Sequence, residues 1–241
     1  MSAPPGLTLR GALRAGGRAL TPPLEIAFPA GAWSCLLGPS GVGKSTLLRV
    51  IAGLDDQPGQ ARIAASDGAP AAPRAALMAQ EAALLPWLDL RGNVELGPRL
   101  RGVPPPPGRA DSLLAAVGMA GMARRRPRGL SGGQRQRVAL ARLLMEERPI
   151  ALLDEPFSAL DAGLRARMQE LAARLLAGRT VIMVTHDAAE AARMADRIIL
   201  LGAEGARTLA PPPGRPPRPL DDPGALRAQA ALLHAMRAMA A

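Results

Sequence analysis

Aromatic residues and cysteine are scarce in this sequence of 241 residues. It contains no tyrosine, two tryptophans, two phenylalanines and one cysteine, Cys35. So few aromatic side chains argue against a stacking platform for nucleic-acid bases. A single cysteine excludes an intrachain disulfide and a cysteine-based zinc site, and it suits a reducing compartment. We expect Cys35 to be a small, buried apolar residue.

Long hydrophobic runs are missing as well. No uncharged apolar stretch approaches the roughly 18 residues that a transmembrane helix needs. The first residues lack the charged start and apolar core of a signal peptide. Apolar residues nevertheless make up 48% of the chain, which is enough for a sizeable core. These features predict a folded, soluble protein of the cytosol.

Lysine is almost absent, although the chain is basic. Of the 30 basic residues, 29 are arginine and one is lysine, and the net charge is +10. Alanine, glycine and proline are also abundant, which indicates a broad substitution bias. Most of the arginine excess therefore says little about partners. The single lysine, Lys44, predicts a position that does not accept arginine.

Short apolar runs alternate with amphipathic segments along the chain. The runs at 32–37, 150–153 and 180–184 are typical of buried parallel strands. Helices are predicted from about Gly43 and over 162–177. This alternation predicts an α/β fold with a central, mainly parallel sheet.

The remaining segments predict the domain organisation. Short N-terminal strands are expected over 7–36, and further strands near Ile63, Leu77 and Ile198. We expect one domain over residues 1–209 with an inserted helical subdomain at about 81–145. A linker with seven prolines follows at 210–223, and a helical tail at 224–241. Because the linker is stiff and polar, loss of 211–241 is expected to leave activity intact; the alternative is a tail helix that packs on the domain.

A glycine-rich motif lies between a predicted strand and a predicted helix. Residues 38–45 read GPSGVGKS and match the phosphate-loop pattern G-x-x-x-x-G-K-[ST] of P-loop NTPases. Backbone N–H groups of such a loop wrap around phosphate oxygens, Lys44 adds a compact charge, and Ser45 can bind Mg²⁺. The alternative is an ordinary glycine-rich turn. The predicted nucleotide-binding residues here are Gly38, Pro39, Ser40, Gly41, Val42, Gly43, Lys44, Ser45 and Thr46.

Two adjacent acids end a later apolar run. The segment 150–156 reads IALLDEP, so Asp154 and Glu155 stand at the carboxyl end of a predicted strand. Asp154 can hold Mg²⁺ beside the phosphate loop, and Glu155 can act as the general base for the attacking water. Without the phosphate loop, an exposed acidic turn would be the better interpretation.

Further motifs, in a fixed order, indicate a family. Residues 130–134 read LSGGQ, and with the motifs around them the sequence resembles the ATP-binding subunit of an ABC transporter. The matching pieces are Gln80 after a strand, the segment SALD that ends at Asp161, and His186 after the run at 180–184. The segment LLPWLDLRGNV around Trp87 resembles importers of the nitrate, taurine and sulfonate type, a group that includes thiamine-precursor permeases.

The resemblance implies a site shared by two copies of the chain. Two subunits are expected to dimerise head to tail, with each ATP between the phosphate loop of one copy and Ser131, Gly132, Gly133 and Gln134 of the other. It further implies a γ-phosphate contact from His186, Mg²⁺ ligands at Ser45, Gln80 and Asp154, and Asp161 at the dimer interface. Ser131 and the two glycines precede an apolar run, so they are expected to crown a helix N-terminus that binds anions.

The implied partners are integral-membrane permease subunits and a solute-binding protein, with no nucleic acid. The subunit is expected at the cytoplasmic face of the bacterial inner membrane as a peripheral protein. Trp87 is expected to be partly exposed in the groove that receives the permease, or else to fill a gap in the core.

Two other functions compete with transport. A nucleic-acid ATPase of the same superfamily would suit the net charge of +10, but the segment between Lys44 and Ser131 has no heptad pattern, and the chain has one ATPase unit. A scaffold without activity would lack part of the site, whereas Lys44, Asp154, Glu155 and His186 are all present.

The sequence departs from this family where adenine is expected to bind. The family usually places an aromatic residue, most often tyrosine, about 25 residues before the phosphate loop, and here the segment 10–18 has none. Leu13 can offer only apolar contact, and Arg14 can lay its guanidinium plane on the base. Discrimination between ATP and GTP is therefore expected to be poor.

Overall fold

The computed structural model describes residues 3–55, 57 and 59–240. Met1, Ser2 and Ala241, at the ends of the predicted domain and tail, lie outside this part. The chain forms two compact units. The first comprises the residues up to Leu77, Pro149–Glu155 and the residues from Ala177 onward, and the second comprises Met78–Arg148 and Pro156–Leu176.

The elements follow one another with few long gaps. In chain order the strands are β1 (Leu7–Gly11), β2 (Arg14–Ala15), β3 (Arg18–Ala19), β4 (Leu24–Phe28), β5 (Trp33–Leu37), β6 (Arg62–Ala65), β7 (Ala75–Met78), β8 (Ile150–Asp154), β9 (Thr180–Val184), β10 (Arg197–Gly202) and β11 (Gly205–Leu209). The helices are α1 (Lys44–Ile51), α2 (Leu90–Val94), α3 (Leu96–Leu100), α4 (Arg109–Ala116), α5 (Gly132–Met145), α6 (Ala162–Leu175), α7 (Ala188–Met194) and α8 (Pro223–Ala240).

A largely parallel sheet forms the centre of the first unit. Within the described residues, six strands pair in the order β11-β10-β5-β9-β8-β7. Strands β10, β5, β9 and β8 run parallel, and β11 is antiparallel to β10. Every residue of β5, β8 and β9 is buried, as expected for parallel strands covered on both faces. Because β5, β8 and β9 are parallel neighbours, their carboxyl ends meet at one edge of the sheet.

A second, antiparallel sheet flanks the N-terminal part of this unit. In the described part of the chain, it has the strand order β4-β1-β6. Alternate residues of β4 are buried, the pattern of a sheet with one face on a core. Leu9, Ile26 and Phe28 join the core that also holds Leu47 and Ile51 of α1. This sheet therefore supports the helix that follows the phosphate loop.

The second unit is helical. Helices α2 to α6 belong to it, and α5 is the long central one, with Val138, Leu140 and Leu144 buried. A bidentate ion pair between Arg91 of α2 and Asp111 of α4 adds to the packing. None of the helices in the described part of the chain combines the length and apolar character needed to span a bilayer.

Most predicted elements are confirmed, with four differences. Residues 81–89 and 117–131 lie outside helices. Positive φ angles interrupt both segments, at Ala83 in the first and at Gly118, Gly121 and Gly129 in the second. The edge strand β11 and the short helix α7 were not predicted, since both are too short to show a clear periodicity. The last difference concerns the C-terminal segment.

The C-terminal segment is part of the first unit. Leu232 of α8 is 2% exposed and Ala225 is 7% exposed, and α8 packs against α7. Arg218, in the proline-rich stretch, is 2% exposed. The polar character of this stretch does not keep Arg218 out of the core, because backbone carbonyl groups accept hydrogen bonds from its guanidinium. That loss of 211–241 leaves activity intact stays a prediction.

Candidate functional site

The phosphate loop leads from β5 into α1. Gly43 is the N-cap of α1 and has a φ of 104°, which favours glycine. A Cβ at Gly43 would lie 3.3 Å from the side chains of Leu13 and Leu20, and one at Gly38 would collide with the carbonyl oxygen of Leu201. These two glycines therefore let the backbone pass close to its neighbours and present N–H groups at the start of a helix.

Lys44 lies inside the loop. Its Nζ donates hydrogen bonds to the carbonyl oxygens of Gly38 and Pro39, each at 2.8 Å. The residue is 8% exposed, and this burial lowers the pKa of its ammonium group. Because both acceptors are neutral, the positive charge stays available to an anion that enters the loop.

Asp154 ends β8 and lies next to the start of α1. Its side chain accepts a hydrogen bond from Ser45, and burial raises the pKa of its carboxyl group. Its Oδ1 atom is buried and has no hydrogen-bond partner among the described residues. This carboxylate oxygen and the neighbouring serine hydroxyl are two oxygen ligands of the kind that a hard cation such as Mg²⁺ prefers.

Glu155 has a strained backbone. Its φ is 47°, in the left-handed region that residues other than glycine rarely occupy. A hydrogen bond holds this conformation: the Glu155 backbone N–H donates, at 2.9 Å, to the carbonyl oxygen of Val184, which ends the neighbouring strand β9. Its Oε1 atom lies 3.1 Å from Nδ1 of His186. Two chemically active side chains therefore meet at the sheet edge where Asp154 and Lys44 also lie.

The loop that carries His186 is held by residues that the sequence analysis missed. Thr185 donates its hydroxyl to Glu190 at 2.7 Å and accepts the backbone N–H of Asp187 at 3.0 Å. Asp187 in turn caps the start of α7 through the Ala189 N–H, at 2.8 Å. Thr185 and Glu190 are 2% and 4% exposed. The sequence did carry a signal for them, because Thr185, Asp187 and Glu190 form a polar cluster directly after the apolar strand β9.

The signature segment begins helix α5 in the second unit. Ser131 is its N-cap, and the expected helix start is confirmed. The Ser131 hydroxyl accepts the backbone N–H of Gln134 at 3.2 Å, and the Gln134 side chain accepts the backbone N–H of Ser131 at 2.9 Å. This capping box leaves backbone N–H groups of the first turn directed away from the helix.

The segment that ends at Asp161 packs against the same helix. A Cβ at Gly133 would lie 3.0 Å from the carbonyl oxygen of Ala159, so the close approach requires glycine. Gln136, which is buried and was not predicted, donates to the hydroxyl of Ser158 at 3.0 Å and accepts the Ala159 N–H at 3.1 Å. Asp161 is exposed and caps α6.

The other predicted site residues have distinct surroundings. Gln80 is exposed in the second unit. Trp87 of the same unit is 66% exposed, so it does not fill a core gap. In the first unit, Leu13 is 0% exposed and lies close to Gly43. It cannot reach a nucleotide base, so the expectation that Leu13 offers apolar contact to adenine was wrong. The guanidinium of Arg14 donates to the carbonyl oxygen of Gly17 at 2.6 Å.

The first unit brings together Lys44, Ser45, Asp154, Glu155 and His186, and the second brings together the signature segment and the segment that ends at Asp161. A glycine-rich loop between a strand and a helix, with acids at the end of a parallel strand, defines an ATPase of the phosphate-loop class.

Comparison with known proteins narrows this class. The model of the family described as ABC transporter matches residues 22–158. The chain is 47% identical to an aliphatic sulfonates import ATP-binding protein, SsuB 1, of Rhodococcus jostii, over 80% of this chain and 78% of that protein. It is 40% identical to the SsuB 1 protein of Rhizobium johnstonii, over 98% and 87% of the two chains. The chain therefore belongs to the ABC transporter family, as an ATP-binding and ATP-hydrolysing subunit.

A solved structure has the same fold. The ATP-binding cassette MJ0796, in a dimeric post-hydrolysis state with ADP and phosphate, superposes with a TM-score of 0.74 at 29% identity. The match covers 85% of this chain and 98% of that one. The predicted α/β fold of ABC ATPases, with its central parallel sheet, antiparallel N-terminal strands and helical part, is confirmed.

Proposed function

We propose that this ATPase powers the import of small organic sulfonates. The names of the relatives that match most of the chain support this solute class over nitrate and thiamine precursors. The single structural observation that supports the ATPase half is the cluster of Lys44, Asp154, Glu155 and His186 at one sheet edge. The alternative of a nucleic-acid ATPase is not favoured by these relatives.

In the proposed site the phosphate loop binds the triphosphate. The residues Gly38 to Thr46, apart from Pro39, supply backbone N–H groups, and Lys44 exchanges its carbonyl acceptors for phosphate oxygens. The Asp154 Oδ1 atom without a partner and the Ser45 hydroxyl fit Mg²⁺, which uses one or two protein ligands together with phosphates and water. Gln80 is the third proposed ligand. When bound there, Mg²⁺ would supply positive charge to offset the charge that develops on the phosphates.

Glu155 is the proposed general base. It accepts a proton from the water that attacks the γ-phosphate, and its backbone is held in a strained conformation at the strand end. His186, which faces Glu155 at 3.1 Å, is exposed over 61% of its side chain and is the proposed γ-phosphate contact. Each residue thus has a role that its position allows.

A second copy of the chain is proposed to complete the site. The backbone N–H groups of Gly132 and Gly133 at the start of α5 would bind the γ-phosphate held by the other copy, with Ser131 and Gln134 keeping the helix start in place through their capping box. Asp161 is the proposed contact between copies. The dimeric state of the similar cassette supports this arrangement.

The remaining partners are permease subunits and a solute-binding protein. Trp87, a large exposed aromatic side chain, is the proposed anchor for the permease. The subunit is proposed to sit at the cytoplasmic face of the bacterial inner membrane.

Growth of a strain that lacks this chain tests the solute class. We expect loss of growth with an alkanesulfonate as the only sulfur source, and normal growth with sulfate. The wild-type chain should restore growth, and the Glu155→Gln variant should not. Unimpaired growth on the sulfonate, with failure on nitrate or without thiamine, would assign a different solute to the same ATPase.

A further inference from the structure

The guanidinium of Arg218 is buried and fully hydrogen-bonded. An arginine side chain has five N–H donors in a planar fork, and here each reaches a carbonyl oxygen. Nη1 donates to Ala192 and Ala195 at 3.0 and 2.9 Å. Nε and Nη2 donate to Pro213, Pro212 and Gly214 at 3.0, 2.6 and 3.0 Å. The side chain therefore joins the proline-rich segment to helix α7.

The acceptors on α7 lie at its C-terminal end. Carbonyl groups there have no partner within the helix, and their partial negative charge favours a cation. The backbones of the two segments also pair, since Arg218 N–H donates to the carbonyl oxygen of Arg193 at 3.0 Å. In return, Nε of Arg193 donates to the carbonyl oxygen of Arg218 at 2.9 Å. The end of α7 is thus fixed by several bonds to one residue.

The opposite end of α7 carries His186. Thr185, Asp187 and Glu190 hold that end through the short hydrogen bonds described above. The helix has only seven residues, and helices of this length are not stable by themselves. Its position therefore depends on packing against β5 and α8 and on the hydrogen bonds that hold its two ends.

We infer that Arg218 is a positioning residue for His186 and acts through α7. The inference rests on the proposed γ-phosphate role of His186. When the guanidinium is lost, the Ala192 and Ala195 carbonyls lose their partner, and the C-terminal end of α7 can shift because fewer bonds fix it. Because His186 immediately precedes the helix cap, such a shift moves its ring away from Glu155. The C-terminal segment is in this way coupled to the hydrolysis step.

Steady-state ATPase measurements on the full chain test the inference. We expect Arg218→Met to lower kcat about tenfold and to leave KM for ATP within twofold, because the phosphate loop is untouched. Arg215→Met is the matched control, since Arg215 lies in the same proline-rich segment but is exposed. A kcat within twofold of wild type in folded Arg218→Met would overturn the inference.

A double-mutant cycle separates this inference from the proposed function. If Arg218 acts through His186, Arg218→Met should cause no further loss of kcat in a His186→Ala background. An equal tenfold loss in that background would reject the coupling. If His186→Ala alone left kcat unchanged, the proposed role of His186 would fail instead.

The ring signal of His186 gives a direct readout. The chain has two histidines, so a His234→Ala background leaves only the imidazole of His186, whose Cε1–H signal can be followed in a ¹H–¹³C spectrum. Arg218→Met should shift or broaden it, and Arg215→Met should not. If Arg218→Met does not fold, Arg218→Gln, which keeps two donors, should give an intermediate loss of kcat. Failure of both variants to fold would make Arg218 a folding residue and would overturn the inference.

Discussion

The two units of the chain carry different kinds of candidate groups for binding a phosphate. In the first unit the candidate groups are charged, buried or strained side chains: Lys44 inside its loop, Asp154 with an unpartnered oxygen, and Glu155 at a φ of 47°. In the second unit, Ser131 and Gln134 satisfy each other in a capping box, and only backbone N–H groups are presented. Side-chain chemistry is thus concentrated in the first unit, and the second provides a helix start.

The largest expected effect comes from breaking the chemistry of the first unit. Glu155→Gln should lower kcat by about 10²- to 10⁴-fold, the usual contribution of a positioned general base, and should keep ATP binding. Glu204→Gln, in the exposed turn between β10 and β11, is the control. Because ATP stays bound, sedimentation should show Glu155→Gln with ATP as a dimer. Turnover within tenfold of wild type would exclude Glu155 as the base.

The next largest effect concerns the single lysine. Lys44→Arg keeps the charge but should weaken ATP binding by about tenfold or more, because the planar fork does not fit where a compact ammonium reaches two carbonyl groups at 2.8 Å. Arg49→Lys on the exposed side of the same helix should have no effect. Calorimetry measures both affinities, and near-normal binding by Lys44→Arg would contradict the account.

A smaller effect is expected on stability without nucleotide. The pKa of Asp154 is raised by burial, so the folded protein holds this proton more tightly than the unfolded chain does. The protonated Asp154 therefore contributes to the free energy of unfolding below the ordinary pKa of 3.8, and this contribution is lost as the pH rises through the raised pKa. Asp154→Asn should therefore raise Tm at pH 7, and should raise it by less near pH 4.

A substitution that should change Tm in the opposite direction serves as the control for this measurement. The hydrogen bond from Arg74 lowers the pKa of Asp67, so the Asp67 carboxylate contributes stability that is present above its ordinary pKa. Asp67→Asn should therefore lower Tm at pH 7. An Asp154→Asn variant whose Tm also falls at pH 7 would show that the buried carboxylate is stabilising.

The smallest expected effect concerns the base of the nucleotide. The segment near Arg14 lacks an aromatic residue, so turnover with GTP should be within about tenfold of turnover with ATP, since stacking of a base on an aromatic ring is worth about 1–3 kcal/mol. Arg14→Tyr should tighten ATP binding, measured by calorimetry. A preference for ATP above a hundredfold would show that another group recognises adenine.

Local motifs made much of this site predictable. The phosphate loop, the two acids at the end of β8 and the start of α5 each depend on residues that are neighbours in the sequence. Partners that lie far apart in the chain could not be predicted in this way. Arg218 finds acceptors more than 20 residues away, and Gln136 pairs with Ser158 across 22 positions. No local pattern marks such pairs, and the bounds of the predicted domain and tail stay predictions.

Cross-linking between two copies tests the central claim most directly. Ser40→Cys and Ser131→Cys are made on separate chains in a Glu155→Gln background; both serines are exposed, and Cys35 is 0% exposed. With ATP and an oxidant, the mixture should form a disulfide-linked dimer of the two variants, and without ATP it should not. ATP-bound mixtures that give no mixed dimer, or no more than each variant gives alone, would contradict a site shared between two copies.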